Sequence, residues 1–255
     1  MSLDPTDPRS PSKQIADDLR ALITAGELSA GDKLPSEREL SDQYHVAPQT
    51  VRQAVGILKH EGLVVGQAGR GVFVRIRGPL IRLGSDRFSR AKRLAGKSAQ
   101  QAEAEAMGRS FRQEVLELAE VPAPASIAAH LGVNAGDPVF KRYRREYVGE
   151  EPNQIAASYY RPEIVNGTAV MEQRTGPGGS YARLEEAGYA LTEFYEEYNA
   201  RMPTPDEVRL LRLPAGTPVM CVLRIAYSDD QPVEVFESVV NASMIVFTNR
   251  FPAPE

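Results

Sequence analysis

Two segments of the 255-residue sequence repeat each other at a constant offset of 80 residues and without gaps. Residues 131–158 align with residues 211–238, and both copies contain the turn sequence Ala-Gly-x-Pro-Val. Each copy predicts a helix, a turn, a strand, an acidic hairpin loop and a second strand. Two copies are too few for a solenoid, so they predict two related halves of one antiparallel sheet with helices covering a face. We expect a ligand pocket between such halves. Identical pairs include Arg144/Arg224, Tyr147/Tyr227, Pro152/Pro232 and Ser158/Ser238.

The N-terminal quarter of the chain has a helical pattern instead. Apolar side chains at Ile15, Leu19, Leu22 and Ile23 fall on one face of a predicted helix, which Gly26 ends. The sequence Ser-Glu-Arg-Glu at 36–39 has the form of a capping box and starts a second, short helix.

A third helix and a hairpin follow. Pro48 suits the first position of a helix, because its missing N–H would have had no partner there. The apolar pieces Leu-Val-Val-Gly and Val-Phe-Val flank Gln-Ala-Gly-Arg-Gly, which predicts a β-hairpin with a glycine-rich tip. This order of elements is typical of a winged helix-turn-helix, whereas the helix pattern alone leaves an ordinary three-helix module with a polar surface as an alternative. Core positions of the third helix are Val51, Val55 and Leu58.

Polar side chains of this module suit contact with a DNA duplex. Glutamine can pair with adenine and arginine with guanine, and threonine can touch a phosphate or a thymine methyl group. Arg70 between two glycines can approach a minor groove or a phosphate closely. The candidate DNA-binding residues are Arg38, Gln49, Thr50, Arg52, Gln53, Gly69 and Arg70.

The charge distribution agrees with this interpretation. The chain has a net charge of −4, yet residues 47–97 carry eleven Lys/Arg against only Glu61 and Asp86, which makes that segment +9 and the remainder −13. A basic stretch in an acidic protein is an electrostatic footprint for phosphate. A solvated, charge-rich linker is the alternative that charge alone leaves open.

The N-terminal segment closely resembles the winged helix-turn-helix of the GntR family. The most specific blocks are LPSEREL, TVRQAV, L-x-x-EGL and GRGVFV, within residues 12–75. The resemblance implies a homodimer on a palindromic double-stranded operator. It also implies that the operator is contacted by Arg38, Gln49, Thr50, Arg52, Gly69 and Arg70. The family usually has Ser/Thr-Arg just before the TVR block, where this chain has Ala47 and Pro48. An N-cap hydroxyl and a base-reading arginine are thus missing, which affects the operator sequence rather than the fold.

The second region resembles the UTRA ligand-binding domain of the HutC branch of that family, which has a chorismate-lyase-like fold. The blocks that carry this resemblance are DRFSRA, GDPVFKRYRRE, SYARLEEAGY, LPAGTPVMCVLRIAY and PVEVFESVV. It implies that an anionic or hydroxylated small-molecule effector contacts an aromatic–polar pair, an arginine and a glutamate. The matching residues are Phe88, Ser89, Arg144 and Glu234, with Tyr181 after the Gly-Pro-Gly-Gly-Ser sequence. Two departures are Glu146, where some relatives have a second arginine, and Val240, where a tyrosine is expected.

Other functions find little support in the sequence. None of the common catalytic motifs occurs, and the single cysteine, Cys221, lies in an apolar run typical of a core strand, so we expect no enzyme. The three histidines are scattered, so we expect no metal and no cofactor. No apolar run is long enough to span a membrane and no secretory signal is visible, so we expect a cytoplasmic protein.

The expected fold class is α+β. We expect a disordered arm at 1–11, a winged helix-turn-helix DNA-binding domain at 12–75, a linker at 76–100 and a UTRA effector-binding and dimerisation domain at 101–255. The expected function is a sequence-specific transcriptional regulator, a repressor that a small-molecule effector releases from its operator. An effector-independent repressor, in which the second domain serves only for dimerisation, is the alternative.

Overall fold

A computed structural model of the protein describes residues 3–67, 69–74, 80–83 and 85–249, and the side chains of 67, 80–83, 85 and 86 are not described. Parts of the predicted arm, hairpin tip, linker and C-terminal end (residues 1–2, 68, 75–79, 84 and 250–255) lie outside the described residues. The chain divides into two compact units, formed by residues 1–78 with 214–217 and by residues 79–213 with 218–255.

The N-terminal unit contains the predicted helices and hairpin. Ile15 and Leu19 are buried against Val51, Val55 and Leu58, so the apolar faces predicted for the first and third helices form one core. The elements are α1 (Pro11–Ala25), α2 (Glu37–Tyr44), α3 (Pro48–His60), β1 (Val64–Gln67) and β2 (Gly71–Val74).

Local signals set the ends of the second and third helices. Ser36 and Glu39 form the predicted capping box, in which each side chain accepts a hydrogen bond from the other residue's backbone N–H. His45 ends α2 in a left-handed conformation with φ of 53°. Ala47 caps α3 without a side-chain hydrogen bond, and Pro48 occupies its first turn. The tight connection fixes α3 next to α2.

The second unit is built on a six-stranded antiparallel sheet. The sheet strands are β4 (Phe111–Pro122), β5 (Pro138–Val148), β6 (Glu151–Tyr160), β7 (Glu193–Arg201), β8 (Val219–Ser228) and β9 (Gln231–Asn241). Their order across the sheet is β4-β5-β6-β9-β8-β7. This arrangement confirms the predicted α+β fold class. The helices connected to them are α6 (Ala125–Leu131), α7 (Pro162–Val165), α8 (Gly179–Glu186) and α9 (Pro205–Leu211).

The sequence repeat is visible in the sheet. Helix α6 and strands β5 and β6 correspond at the offset of 80 to α9, β8 and β9. Register irregularities also fall at corresponding places, between Glu146 and Tyr147 in one copy and between Ala226 and Tyr227 in the other. The structure extends the repeat to the edge strands β4 and β7, so the two halves meet at β6 and β9.

The two faces of the sheet have different roles. Val139 and Tyr143 of β5 pack with Ile127 of α6 in one apolar cluster. Arg142 and Arg144 alternate with them along the strand, as expected from the pleat, and belong to the opposite face. That opposite face carries the cavity described below.

Several short elements precede the sheet in the chain, within and after the stretch expected to be a linker. They are β3 (Leu80–Leu83), a 3-10 helix (Ser85–Phe88), α4 (Arg90–Leu94) and α5 (Ala99–Ala106). Strand β3 pairs in parallel with β10 (Ile245–Thr248) near the end of the chain. None of the helices in the described ranges has the length and hydrophobicity needed to cross a bilayer.

Candidate DNA-binding surface and arginine-lined cavity

Helix α3 presents a polar face opposite to its core face. Gln49, Arg52 and Gln53 are exposed, and Thr50 is half-buried. None of these side chains is needed for the core, because the same helix buries Val51 and its apolar neighbours on the other side. Glutamine and arginine that project from one exposed helix face are suited to read base edges in a major groove.

The second helix adds charge beside this face. Arg38 is exposed in the first turn of α2. Glu37 lies next to it in the chain and approaches Arg52, with an Nε–Oε2 distance of 3.9 Å. Both side chains of this pair are about half exposed, so water and salt screen the attraction and Arg52 stays available to a ligand.

The hairpin tip lies against the loop that precedes α2. Gly69 has φ of +71° and Gly71 has φ of +115°, the left-handed region that glycine adopts without strain. A Cβ atom at Gly71 would come within 2.7 Å of Lys33 Cε, so the tip and Lys33 are in close contact. Arg70 is exposed and lines a groove of about 330 Å³ together with Lys33 and Glu37. The structure thus brings the tip close to α2.

Lys33 was missed in the sequence analysis. It lies in an exposed loop without periodicity, and only its position three residues before the capping box could have indicated it.

The second unit contains a cavity of about 200 Å³ on the sheet face opposite α6 and α9. Four of the five predicted effector residues line it, namely Phe88, Arg144, Tyr181 and Glu234. Ser89 is not among the lining residues, and its hydroxyl instead accepts a hydrogen bond from the backbone N–H of Lys92 at the start of α4.

Arg144 is held by neighbouring side chains. Its Nε donates to Glu146 Oε1 at 3.0 Å, and its NH1 group donates to Ser158 Oγ at 3.0 Å. Its guanidinium also lies 5.4 Å from the centre of the Phe236 ring. Glu146, at the position where some relatives have an arginine, is therefore the internal partner of Arg144. These contacts fix the guanidinium before any ligand arrives.

Glu234 lies on β9, in the second copy of the repeat, and its carboxylate accepts two hydrogen bonds. The hydroxyls of Tyr160 and Tyr181 each donate to it at 2.7 Å. Arg224 NH2 lies 3.9 Å from its Oε2. Burial, followed by the charge of Glu234, raises the pKa of Tyr160, and burial is also the main cause of the raised pKa of Tyr181. Both tyrosines stay neutral donors and hold the carboxylate in place.

Further arginines line the cavity, and the sequence did not predict them as effector contacts. Arg142 is 1% exposed and donates to the carbonyl oxygens of Val170, Glu172 and Gln173, so it anchors the loop before α8. Burial lowers its pKa. The complete set of charged lining residues is Arg87, Arg93, Arg142, Arg144 and Arg224 with Glu146 and Glu234.

Arg87 and Arg224 share a wall of the cavity. The Arg224 guanidinium lies 4.7 Å from the Phe88 ring centre and 4.1 Å from that of Phe236. Arg87 is buried and its Nε lies 3.1 Å from Glu103 Oε1. Within the described part of the chain, none of its guanidinium nitrogens makes a well-oriented hydrogen bond. The repeat pair Arg144 and Arg224 thus lines one cavity, with additional positive charge beside it.

Comparison with known proteins gives matches in both units. The model of the gntR family of bacterial regulatory proteins matches residues 11–74, and that of the UTRA domain matches residues 106–245. An uncharacterized HTH-type transcriptional regulator of Streptomyces coelicolor is 35% identical over 97% of this chain and 95% of its own length. The HTH-type transcriptional repressor PhnF of Mycolicibacterium smegmatis is 28% identical over 86% of this chain and 84% of its own. The crystal structure of PhnF has a TM-score of 0.60 at 24% identity, covering 94% of this chain and 100% of that one.

Proposed function

Because the chain belongs to the GntR family of bacterial regulatory proteins and carries a UTRA domain, we propose that it is a repressor that a small anionic effector releases from a palindromic operator. The family and the relatives show that the chain is a DNA-binding transcriptional regulator. We place it in the HutC branch, on the sequence blocks of its second domain.

The polar face of α3 and the arginine-tipped hairpin support the assignment of the operator-reading surface. Exposed Arg52 and Gln49 reach a ligand without breaking a buried contact. Arg70 at the hairpin tip supplies a positive charge for a phosphate or a minor groove. Ala47 and Pro48 replace the family's usual hydroxyl and arginine, so base reading depends more heavily on Gln49 and Arg52.

The operator assignment is tested with Arg52→Ala and the DNA immediately upstream of the gene. We expect this variant to bind about 10- to 100-fold more weakly, because the loss of one base-contacting arginine costs roughly 1–3 kcal/mol. The matched control is Arg209→Ala, which removes a highly exposed arginine from α9. Fluorescence anisotropy at physiological salt measures both affinities, and circular dichroism checks that both variants are folded. Unchanged protection of the same operator by Arg52→Ala would show that another surface reads the DNA.

The single observation that carries the effector proposal is the convergence of five arginines on one cavity. Glu146 and Glu234 lie among them, and three glutamates that do not line the cavity, Glu103, Glu185 and Glu196, pair with Arg87, Arg93 and Arg224. Arginine forks bind carboxylate or phosphate groups through paired donors. Arg87, buried and without a well-oriented hydrogen bond among the described residues, favours the same class of ligand.

Release from DNA is proposed to occur by a population shift in a homodimer. The effector binds one arrangement of the chain better than the DNA-competent arrangement. This difference in affinity limits how far the effector can shift the equilibrium between the two arrangements. The segment at 76–100 then changes the spacing of the two α3 helices. Coupling of this kind is reciprocal, so operator DNA weakens effector binding by the same factor.

The effector step is tested with Arg144→Ala against Arg145→Ala. The two residues are neighbours on β5, but Arg145 bonds Glu114 and the carbonyl of Leu210 and does not line the cavity. A thermal-shift screen of phosphorylated sugars and small carboxylates identifies ligands, since binding to the native state raises the melting temperature. We expect Arg144→Ala to bind operator normally but to resist release, whereas Arg145→Ala is released. An unchanged response in Arg144→Ala removes this residue from the site, and a flat screen favours the effector-independent repressor.

A further inference from the structure

A second chamber adjoins the arginine-lined cavity. It has a volume of about 420 Å³ and its lining is mainly aromatic. Phe88 lines both spaces and therefore lies at the boundary between them. Its other lining residues are Phe194, Glu196, Tyr198, Phe247, Thr248 and Asn249.

The arginine-lined cavity is small for a site that encloses an organic ligand. At about 200 Å³ the arginine-lined cavity is smaller than the roughly 300–1,000 Å³ typical of pockets that enclose small organic ligands. It accommodates an anionic head group with little else. A larger effector has to extend beyond it, and the aromatic chamber lies directly behind Phe88.

The boundary between the two spaces includes the Phe88 ring and the ion pairs that join Glu196 to Arg87 and Arg224. The Phe88 ring stacks on Phe194 with a centroid distance of 4.4 Å, and Arg87 and Arg224 lie 4.8 and 4.7 Å from its centre. Phe88 thus sits where an aromatic group attached to an anion would find the same partners, with guanidinium groups on one side and an aromatic ring on the other. A ligand that extends from one space into the other requires this ring to move aside.

The carboxylate in the aromatic chamber does not make it a site for a cation. Glu196 Oε1 lies 3.5 Å from Arg224 NH1 and 3.8 Å from Arg87 NH1, and the hydroxyl of Tyr198 donates to its Oε2. Its charge is therefore matched by two buried arginines. The aromatic rings that line the chamber form its binding surface. Two of them, Tyr198 and Phe247, are in edge contact at a centroid distance of 4.6 Å.

We propose that the effector is an organic anion with an aromatic group, whose anionic head binds the arginine-lined cavity and whose ring occupies the chamber behind Phe88. This inference rests on the proposed effector response and adds the chemical class of the ligand. The head supplies orientation through Arg144 and Arg224, whereas the ring supplies affinity through burial of apolar surface.

The test compares two probes on the full-length protein by isothermal titration calorimetry. Methyl phosphate has the head alone, and 3-phenylpropyl phosphate adds a ring on a flexible tether. We expect the phenyl-bearing probe to bind at least about tenfold more tightly, as burial of an aromatic ring provides. The gain is the ratio of the two affinities in the same protein, and Tyr198→Ala is expected to remove most of it.

Tyr195→Ala is the matched control. Tyr195 and Tyr198 lie on the same strand and are 44% and 45% exposed, yet only Tyr198 lines the chamber. Phe247→Ala repeats the test from a different strand, and the melting temperature of each free variant checks folding. Equal affinity of the two probes, or a gain that survives in both chamber variants, overturns the inference. If methyl phosphate binds, that result leaves the proposed anion site standing. If neither probe binds the wild-type protein, the proposed function fails as well.

Discussion

The two units of this protein use arginine in opposite ways. On the proposed DNA-binding surface, Arg38, Arg52 and Arg70 are exposed, and Arg52 approaches a half-exposed glutamate at 3.9 Å. In the cavity, Arg142 and Arg144 are buried and each bonds several protein acceptors. An exposed arginine keeps its water until DNA arrives. A buried one has already lost its water, so protein groups must replace it.

This difference predicts which substitutions separate function from stability. Exposed arginines contribute to binding alone, because their removal leaves no buried group unpaired. Buried arginines serve the fold and the ligand together, since the same guanidinium that faces the cavity also satisfies carbonyl or carboxylate groups around it.

The largest expected effect is that of Arg142→Met on stability. Methionine keeps most of the volume but leaves the carbonyl groups of Val170 and Gln173 without their buried donor. We expect the free energy of unfolding to fall by about 3 kcal/mol, because each buried carbonyl group that loses its donor adds a cost. Urea denaturation followed by circular dichroism measures it, with Arg209→Ala as a control that changes stability by less than about 0.5 kcal/mol. A loss as small as that of the control would mean that Arg142 does not anchor this loop.

The next largest effect is expected at alkaline pH. Burial is the main cause that raises the pKa of Tyr159 to about 12 in the folded protein, against about 10 in the unfolded chain. The stabilisation is complete below pH 10 and is lost as the pH rises toward 12, because the unfolded chain releases this proton first. Relative to the wild-type protein, Tyr159→Phe is therefore expected to gain roughly 1 kcal/mol at pH 11 compared with pH 7. Denaturation curves at both pH values check this, and an equal difference at the two values contradicts it.

The smallest of these effects concerns the hairpin tip. Arg70→Ala is expected to weaken DNA binding severalfold on every sequence, and to reduce the slope of log affinity against log salt by about one, if Arg70 contacts a phosphate. Stability is expected to stay unchanged, as for any exposed side chain without a buried partner. Anisotropy titrations between low and physiological salt measure the slope. A selective loss on one base sequence would instead assign Arg70 to base reading.

The helices of the N-terminal unit and the sheet of the second unit were largely predictable from the sequence. The capping box at Ser36 and the proline start at Pro48 are local signals, and both mark helix starts in the structure. Strong 3.6-residue periodicity predicted the apolar faces of α1 and α3. The repeat predicted the antiparallel sheet, because alternating copies at a fixed offset leave few other folds.

The surroundings of the cavity arginines were less predictable from the sequence. Arg142 looks like any strand arginine in the sequence, and its role depends on carbonyl groups about 30 residues away that only the folded loop brings near. The elements between residues 80 and 106 are short and have no periodicity, so composition alone indicated a linker there. Ser89 was predicted as an effector contact, but a hydroxyl at a helix start also serves as a cap.

The account depends on the polar face of α3 binding a specific DNA sequence, and selection from random duplexes with the full-length protein tests this most directly. We expect an enriched inverted-repeat motif whose affinity falls with salt and is weakened about 10- to 100-fold by Arg52→Ala. The absence of any enriched sequence, at low as well as physiological salt, would contradict the account.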